Sequence, residues 1–248
     1  MTTPEGEVKR VADVVLSRIF DGSYPAGLRL PAETALADEL GCGRSTVREA
    51  LRYLADLGLV RSRRGSGAHL LDYRREGTPS LLPAFLRAGH TGVPPHILAR
   101  EMLRLRALMA SEAVRLAARY ATHAGLAEAR ALLERSRSID DPVAHALNEL
   151  DMYRALVAAS GIWPAVWIVN AVWTPMREVN EMFARAMQSP RPDFFPTMVG
   201  VLEHVQSRNE DAAVEALRAW FDRVDAELVS LIETALNKEP PASCSSPC

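Results

Sequence analysis

The sequence predicts a mostly α-helical protein: an N-terminal winged helix-turn-helix with a small β-hairpin wing, then an all-α bundle of six or seven helices. Two observations predict the first part. Two short helical patterns meet at a glycine-containing turn, and two short apolar-edged segments flank Gly65 and Gly67. A third observation predicts the bundle, because from Leu81 onward apolar residues recur at helical spacing and no strand alternation persists.

The first elements are an amphipathic helix from Val8 to Phe20 and a short second helix around Leu36 to Leu40. A segment rich in glycine and proline separates the two helices. Gly41 follows the second helix and suits the left-handed conformation that commonly ends a helix. The apolar face of this second helix is formed by Leu36, Ala37 and Leu40.

The third helical pattern starts near Arg44 and stops at Gly58. The N-terminal end of such a helix meets base edges when the helix enters the major groove, where arginine reads guanine and small hydroxyls suit bases or phosphates. Thr46 with Glu49 also fits a capping box, so a structural role for Thr46 stays open. The polar face near this end carries Arg44, Ser45, Thr46 and Arg48.

The predicted β-hairpin carries arginines close to its tip, where they are well placed for phosphates or the minor groove. For Arg61 and Arg63, a role as solvated surface charges is an equal alternative. The arginines of the hairpin are Arg61, Arg63 and Arg64.

Motif pieces at fixed spacing across residues 22–67 resemble the N-terminal domain of the GntR family of bacterial transcription regulators. They include residues 22–25 (GSYP), 30–33 (LPAE), 41–44 (GCGR), 47–51 (VREAL) and 65–67 (GSG). Gly43 stands where this family usually has a small hydroxyl residue, and Thr34 stands where some members carry an arginine that touches DNA. By resemblance, the residues that contact double-stranded DNA are Arg44, Ser45, Thr46, Arg48, Arg64, Gly65 and Gly67.

The charge balance indicates how DNA would be bound. The 248 residues contain 29 Lys and Arg against 31 Asp and Glu, for a net charge of −2. Residues 1–75 hold 12 basic and 10 acidic residues, and the remainder holds 17 and 21. DNA affinity must therefore come from placed arginines and not from bulk charge.

The domains predicted from the sequence are a DNA-binding domain at 1–72, a linker at 73–80 (YRREGTPS), a helical domain at 81–237 and a disordered tail at 238–248. Breaks at glycine and proline place the helices of the second domain at 81–88, 96–122, 126–137, 143–160, 163–188, 193–208 and 210–237. Residues 104–106, 112–118 and 153–161 resemble the FCD effector-binding and dimerisation domain of the FadR-like subgroup.

Many domains of that type hold a divalent metal with one Asp and three His, and the metal binds a carboxylate effector. Carried over one by one, these four positions fall on Glu149, Tyr153, Met198 and Trp220, which retain one carboxylate and no imidazole. The resemblance then implies no metal and no other cofactor, as in the metal-free members, which include a fatty acyl-CoA sensor. Arg106 stands where the family places an arginine, and its fork matches a carboxylate.

The predicted effector-binding residues are therefore Arg106, Glu149, Tyr153, Met198 and Trp220. One alternative is that Tyr153, Met198 and Trp220 simply fill the core. A second is that His145, one turn before Glu149, forms a metal-binding pair with it.

The combined prediction is a homodimeric transcription regulator, expected to be a repressor, whose affinity for a pseudo-palindromic operator responds to a carboxylate or acyl effector. The alternatives are a constitutive dimeric DNA-binding protein, a metal-dependent carboxylate sensor, and an enzyme. The sequence has no Gly-rich phosphate loop, nucleophile elbow or chelating His cluster, which disfavours an enzyme. The start of the chain is not a signal peptide, no apolar run has membrane-spanning length, and the three cysteines form no disulfide framework, so we expect a cytoplasmic protein without membrane contact.

Overall fold

The computed structural model describes residues 4–63, 67–88, 94–185, 187 and 190–238. By their contacts, the residues divide into two compact units. The first unit contains Met1–Val93 with Val172–Val179, and the second contains Pro94–Ala171 with Asn180–Cys248.

The first unit is a winged helix-turn-helix, which confirms the predicted fold. Helices α1 and α2 pack against α3, and the two strands pair antiparallel with Val60 opposite Leu70. A bridge between Arg29 and His69 adds a short third segment to the hairpin. The elements are α1 Pro4–Phe20, α2 Glu33–Leu40, α3 Arg44–Asp56, β1 Val60–Arg63 and β2 Gly67–Leu70.

Two glycines fix the turns on either side of α3. Gly41 has a φ of 62°, and its N–H donates to the carbonyl of Ala37, which closes the last turn of α2. Gly58 has a φ of 77°, and a Cβ at this position would lie 2.2 Å from the carbonyl oxygen of Glu76. Only glycine fits at Gly58, because both the backbone conformation and the close approach exclude a side chain.

Residues 73–88 pack onto the first unit as α4 Tyr73–Glu76, a 3₁₀ turn Pro79–Leu81 and α5 Leu82–Ala88. The ring of Tyr73 lies 5.5 Å from that of Phe20 and 5.6 Å from that of Phe85. Leu81 is buried in the same core. The structure differs here from the sequence prediction, which placed a linker at 73–80 and began the helical domain at 81, because apolar side chains within this polar stretch find partners on α1.

The second unit is entirely helical across its described residues, as predicted. Helix α6 packs against α8, α10 and α11, and α7 packs against α8 and α10. The predicted bounds agree with these helices to within a few residues, and the largest difference is at α9, which ends at 184 and not at 188. The helices are α6 Pro95–Tyr120, α7 Ala127–Ser136, α8 Pro142–Ala159, α9 Trp163–Ala184, α10 Phe194–Gln206 and α11 Glu210–Lys238. By their contacts, Val172–Val179 of α9 belong to the first unit.

A single large core holds α6, α7, α8, α10 and α11 together. Its largest fully buried side chains include Met152, Leu156, Phe194, Leu217 and Phe221. No helix in the described ranges has both the length and the apolar character that crossing a membrane requires. The predicted disordered tail lies, apart from residue 238, outside the described residues.

Candidate functional site

The N-terminal turn of α3 is exposed and polar. Arg44, Ser45 and Arg48 are exposed and Thr46 is partly buried. The residue before the helix, Gly43, is extended and offers no side-chain cap, so the first N–H groups of α3 are available to a phosphate. Because α3 begins at Arg44, Thr46 lies inside the first turn. The capping box that the sequence left open is therefore not formed at Thr46.

Arg48 is held by an ion pair with Glu33 of α2. Its Nη2 lies 2.8 Å from Oε2 of Glu33, and its Nε lies 3.2 Å from the same oxygen. The hydrogen bond lowers the pKa of the Glu33 carboxyl and raises the pKa of Arg48. The pair uses one edge of the guanidinium, which leaves the Nη1 end for a base or a phosphate.

A groove of about 430 Å³ lies between α3 and the β-hairpin. Three arginines line it: Arg29, Arg48 and Arg52. Gly67 also lines the groove, and a Cβ on Gly67 would lie 3.3 Å from Nε of Arg29. With a φ of 83°, Gly67 lets the side chain of Arg29 lie close to the hairpin.

Sequence reasoning missed Arg29 and Arg52. The sequence could have indicated Arg52, because Arg52 lies four residues after Arg48 and therefore on the same face of the helix. It could not have indicated Arg29, because the place of Arg29 in the groove depends on the bridge to His69. Arg61, which sequence left open, donates to Oε2 of Glu76 at 3.2 Å. The predicted contacts at Arg64 and Gly65 lie outside the described residues.

A second candidate site is a cavity of about 50 Å³ inside the helical unit. Three of the five predicted effector-binding residues line it: Arg106 of α6, Glu149 of α8 and Trp220 of α11. The other two, Tyr153 and Met198, are buried behind this wall. The Tyr153 hydroxyl donates to Oε1 of Glu149 at 3.2 Å and lies 3.8 Å from Sδ of Met198. The structure therefore brings all five residues into one cluster.

The charged groups of this cluster are partly buried. Arg106 forms an ion pair with Asp225, and its guanidinium lies 4.5 Å from the centre of the Phe221 ring. Burial raises the pKa of Glu149, and the charge of Arg106 opposes that rise. Burial likewise raises the pKa of Asp225. Asp225 was missed by sequence reasoning, because nothing in the sequence links it to a residue 119 positions earlier.

Three buried N–H donors on the cavity wall have no acceptor among the described residues: Nε of Arg106, Nε of Arg191 and Nε1 of Trp220. Trp220 is only 3% exposed. Buried donors are nearly always paired in folded proteins, and each one left unpaired costs about 1–3 kcal/mol. Donors of this kind on one wall point to an acceptor-rich partner, such as a carboxylate.

The donor set does not fit a divalent metal. Within the described ranges, no group of three or more His, Cys, Asp or Glu is arranged to hold one. His145 and Glu149 do line the same cavity, but the cations Arg106 and Arg191 line it too and would repel a metal ion. The centres of the His145 and Phe194 rings lie 4.8 Å apart, and burial lowers the pKa of His145.

A winged helix-turn-helix with an arginine-lined groove defines the architecture of a DNA-binding regulator. Residues 7–70 match the family described as bacterial regulatory proteins of the gntR family, and residues 101–223 match the FCD domain. The chain belongs to the GntR family and carries an FCD domain, which confirms the family predicted from the sequence motifs.

The relatives are regulators as well. An uncharacterized HTH-type transcriptional regulator of Mycobacterium tuberculosis is 32% identical over 149 residues, 60% of each chain. The fatty acid metabolism regulator protein of Yersinia pestis is 30% identical over 151 residues, again 60% of each chain. The match thus covers less than two thirds of these relatives. Among solved structures, the Streptococcus agalactiae GntR protein is 24% identical, with a TM-score of 0.42 over 88% of this chain and 99% of the other.

Proposed function

We propose that this protein is a ligand-responsive transcription regulator of the cytoplasm. As a homodimer it binds a pseudo-palindromic double-stranded DNA operator through α3 and the β-hairpin. A small anionic effector, a carboxylate or an acyl compound, binds the cavity of the helical unit and changes operator affinity. The direction that we expect is repression relieved by the effector. The observation that carries this proposal is the exposed N-terminal turn of α3 beside a groove lined by Arg29, Arg48 and Arg52.

DNA binding follows from the chemistry of that groove. A guanidinium donates in a fixed fork that matches O6 and N7 of guanine, and other arginines of the groove suit phosphates. Arg44 and the free N–H groups after Gly43 lie at the positive end of the α3 dipole, where an anion is stabilised. A dimer is required because one recognition helix spans only one half-site, and two half-sites are read by two helices.

The proposal of effector binding rests on the three buried N–H donors of the cavity wall that have no acceptor among the described residues. A cavity of about 50 Å³ exceeds the roughly 10–15 Å³ that one water molecule needs by the same measure, so it suits a carboxylate head group. Such a group would accept from Trp220 Nε1 and from the arginines, which removes the cost of burying those donors. Phe183 and Leu228 line the same cavity and offer an apolar wall to the rest of the ligand. One relative is named a fatty acid metabolism regulator, which supports an acyl ligand.

We propose that this binding needs no metal and no other cofactor, since the arginines take the place of a cation. Two alternative functions make different predictions. A constitutive dimeric DNA-binding protein would show no effect of any small molecule on operator affinity. An enzyme would convert a ligand of the cavity, and we expect no turnover.

The test is a thermal-shift screen of the purified protein against sugar acids, small carboxylates, fatty acids and acyl-CoAs, with and without divalent metal. A ligand at a hundred times its dissociation constant should raise the free energy of unfolding by about 2.7 kcal/mol. We expect a metal-independent shift that the Trp220→Phe variant reduces, because phenylalanine lacks the N–H donor. Each hit is then added to an operator-binding assay. A screen without any hit favours the constitutive alternative, and a shift that requires stoichiometric metal contradicts the metal-free site.

A further inference from the structure

An exposed apolar stripe runs along the N-terminal half of α9. Trp163 and Trp167 lie one helical turn apart and are 71% and 65% exposed, and the neighbouring Ile168 is 65% exposed. The sequence contains no charged residue from position 162 to position 176. A helix surface of this kind is ordinarily covered by other protein. We name these three residues the α9 stripe.

The opposite face of the same helix is already accounted for. Ala165, Val166 and Val169 pack against the large core of the helical unit. The α9 stripe therefore does not belong to the face of α9 that packs against the core. It is a second apolar face, and folding of the second unit leaves it exposed.

Among the described residues, the exposed apolar side chains of α6 lie between charges. Leu105 and Leu108 lie one turn apart and are 38% and 61% exposed, and the exposed residues Glu101, Arg104 and Glu112 flank them. Small apolar areas among charges are normal on a protein surface. Leu108 therefore serves as a matched control for the α9 stripe.

We propose that the α9 stripe is the surface through which two copies of this chain pair. The proposal rests on the homodimer of the proposed function and assigns the residues that form it. A two-fold contact brings the same patch of each copy together, so the patch must be complementary to itself. An uncharged apolar stripe meets that condition, because no like charges face each other across the axis.

The area of the α9 stripe agrees with a dimer interface. A tryptophan side chain can bury roughly 150–250 Å². At about two thirds exposure, the two tryptophans and the isoleucine would together remove roughly 300–450 Å² per copy from water. A standard interface buries about 800 Å² per partner, so the stripe supplies about half of it and would form its centre. Tryptophan, tyrosine and arginine are the residue types enriched at such energetic centres.

The rim of the stripe also has the character of an interface. Nη2 of Arg154 donates to Oδ1 of Asn170 at 2.8 Å, and both residues are exposed next to the apolar surface. A polar rim around an apolar centre is typical of specific protein contacts. A lipid surface fits less well, because helices that lie on membranes carry Lys and Arg along their flanks, and positions 162–176 have none.

The test is the dimer dissociation constant of the full-length protein, measured by analytical ultracentrifugation over a range of concentrations. Trp163→Glu with Trp167→Glu should raise this constant about 100-fold or more, since two central residues are replaced in each copy. The single variant Ile168→Glu should act in the same direction, and it guards against misfolding of the double variant. Leu108→Glu should leave the constant unchanged. Circular dichroism and the melting temperature verify that each variant is folded.

The outcomes separate the stripe from the proposed function. If the wild type and both stripe variants dimerise equally well, the stripe is not the interface, and the proposed dimer stands. Dissociation caused by Leu108→Glu instead would place the interface on α6 and overturn the assignment. A wild type that is monomeric even on operator DNA would overturn the dimer itself. If the stripe is correct, the folded variants bind a single half-site as the wild type does and lose the tighter binding to the full operator.

Discussion

Replacing Arg48 with alanine tests the recognition helix most directly. The ion pair with Glu33 is lost, but the two side chains are 55% and 33% exposed, so the free energy of unfolding should change little. Operator binding should change much more. Loss of a bidentate arginine–guanine contact weakens specific binding by about 5- to 160-fold.

The side-on geometry of the ion pair sharpens this expectation. Glu33 engages Nε and Nη2 of Arg48 and leaves Nη1, so the fork is oriented before DNA arrives. Arg48→Lys keeps the positive charge but loses the fork. We therefore expect Arg48→Lys to retain binding to non-specific DNA and to lose most of the preference for the operator.

The assay is fluorescence anisotropy with the selected operator and with a scrambled duplex, at several salt concentrations. The ratio of the two affinities should fall in both Arg48 variants. Arg104→Ala removes an exposed arginine of the helical unit and should leave the ratio unchanged. Equal weakening on both duplexes, with a salt slope smaller by about one, would show that Arg48 contacts a phosphate and not a base. An unchanged affinity on both duplexes would refute the assignment of α3 as the recognition helix.

Three further predictions concern stability, each measured by urea unfolding. Gly58→Ala should destabilise the protein by at least about 2 kcal/mol, because the added Cβ would clash with the carbonyl oxygen of Glu76 in α4. Gly161→Ala should cost only about 1 kcal/mol, because Gly161 has the same left-handed backbone but open space around it. Arg106→Ala should cost about 2 kcal/mol because it leaves the partly buried Asp225 without its partner. A combined Arg106→Met, Asp225→Leu variant should recover most of that loss. Glu149→Gln should stabilise the protein at neutral pH. Burial raises the pKa of Glu149 above its ordinary 4.5, so between these two pKa values the folded state holds a proton that the unfolded chain has released. The stability of the wild type therefore falls as the pH rises from 4.5 through the raised pKa, and glutamine avoids this loss. The gain should shrink as pH is lowered toward 4.5, and a gain that grows on acidification would contradict the raised pKa.

The helix-turn-helix could be predicted because its signals are local. Gly41 and Gly58 mark the ends of α2 and α3, and apolar residues between them recur at helical spacing. The helices of the second unit were predictable for the same reason, since glycine and proline mark their ends. By contrast, the packing of Tyr73 onto Phe20 joins residues far apart in sequence, so the stretch around Tyr73 reads as a polar linker until the contact is seen.

The position of the proposed effector cavity could be predicted from the sequence, but its charged groups could not. The family resemblance predicted that Glu149 and Trp220 share a site, and in the structure both line one cavity because α8 and α11 face the same core. It did not provide Asp225 or Arg191, whose roles arise from ion pairs across the bundle. Spacing within a helix reveals which side chains share a face, whereas pairing between helices depends on how the helices cross.

The charges around the cavity bear on the proposal that an anion binds there without a metal. Arg106 supplies a fixed positive charge, and its pair with Asp225 occupies only part of its fork. Burial raises the pKa of Glu149, so near its titration range this carboxyl carries less negative charge than an exposed glutamate and repels an anion less. The raised pKa of Glu149 and the unpaired donors therefore act in the same direction, while Asp225 stays paired with Arg106. As the pH rises and Glu149 ionises, the cavity gains negative charge, so its affinity for an anion should fall. A metal site would show the opposite dependence, because its ligands bind the cation better once they are deprotonated.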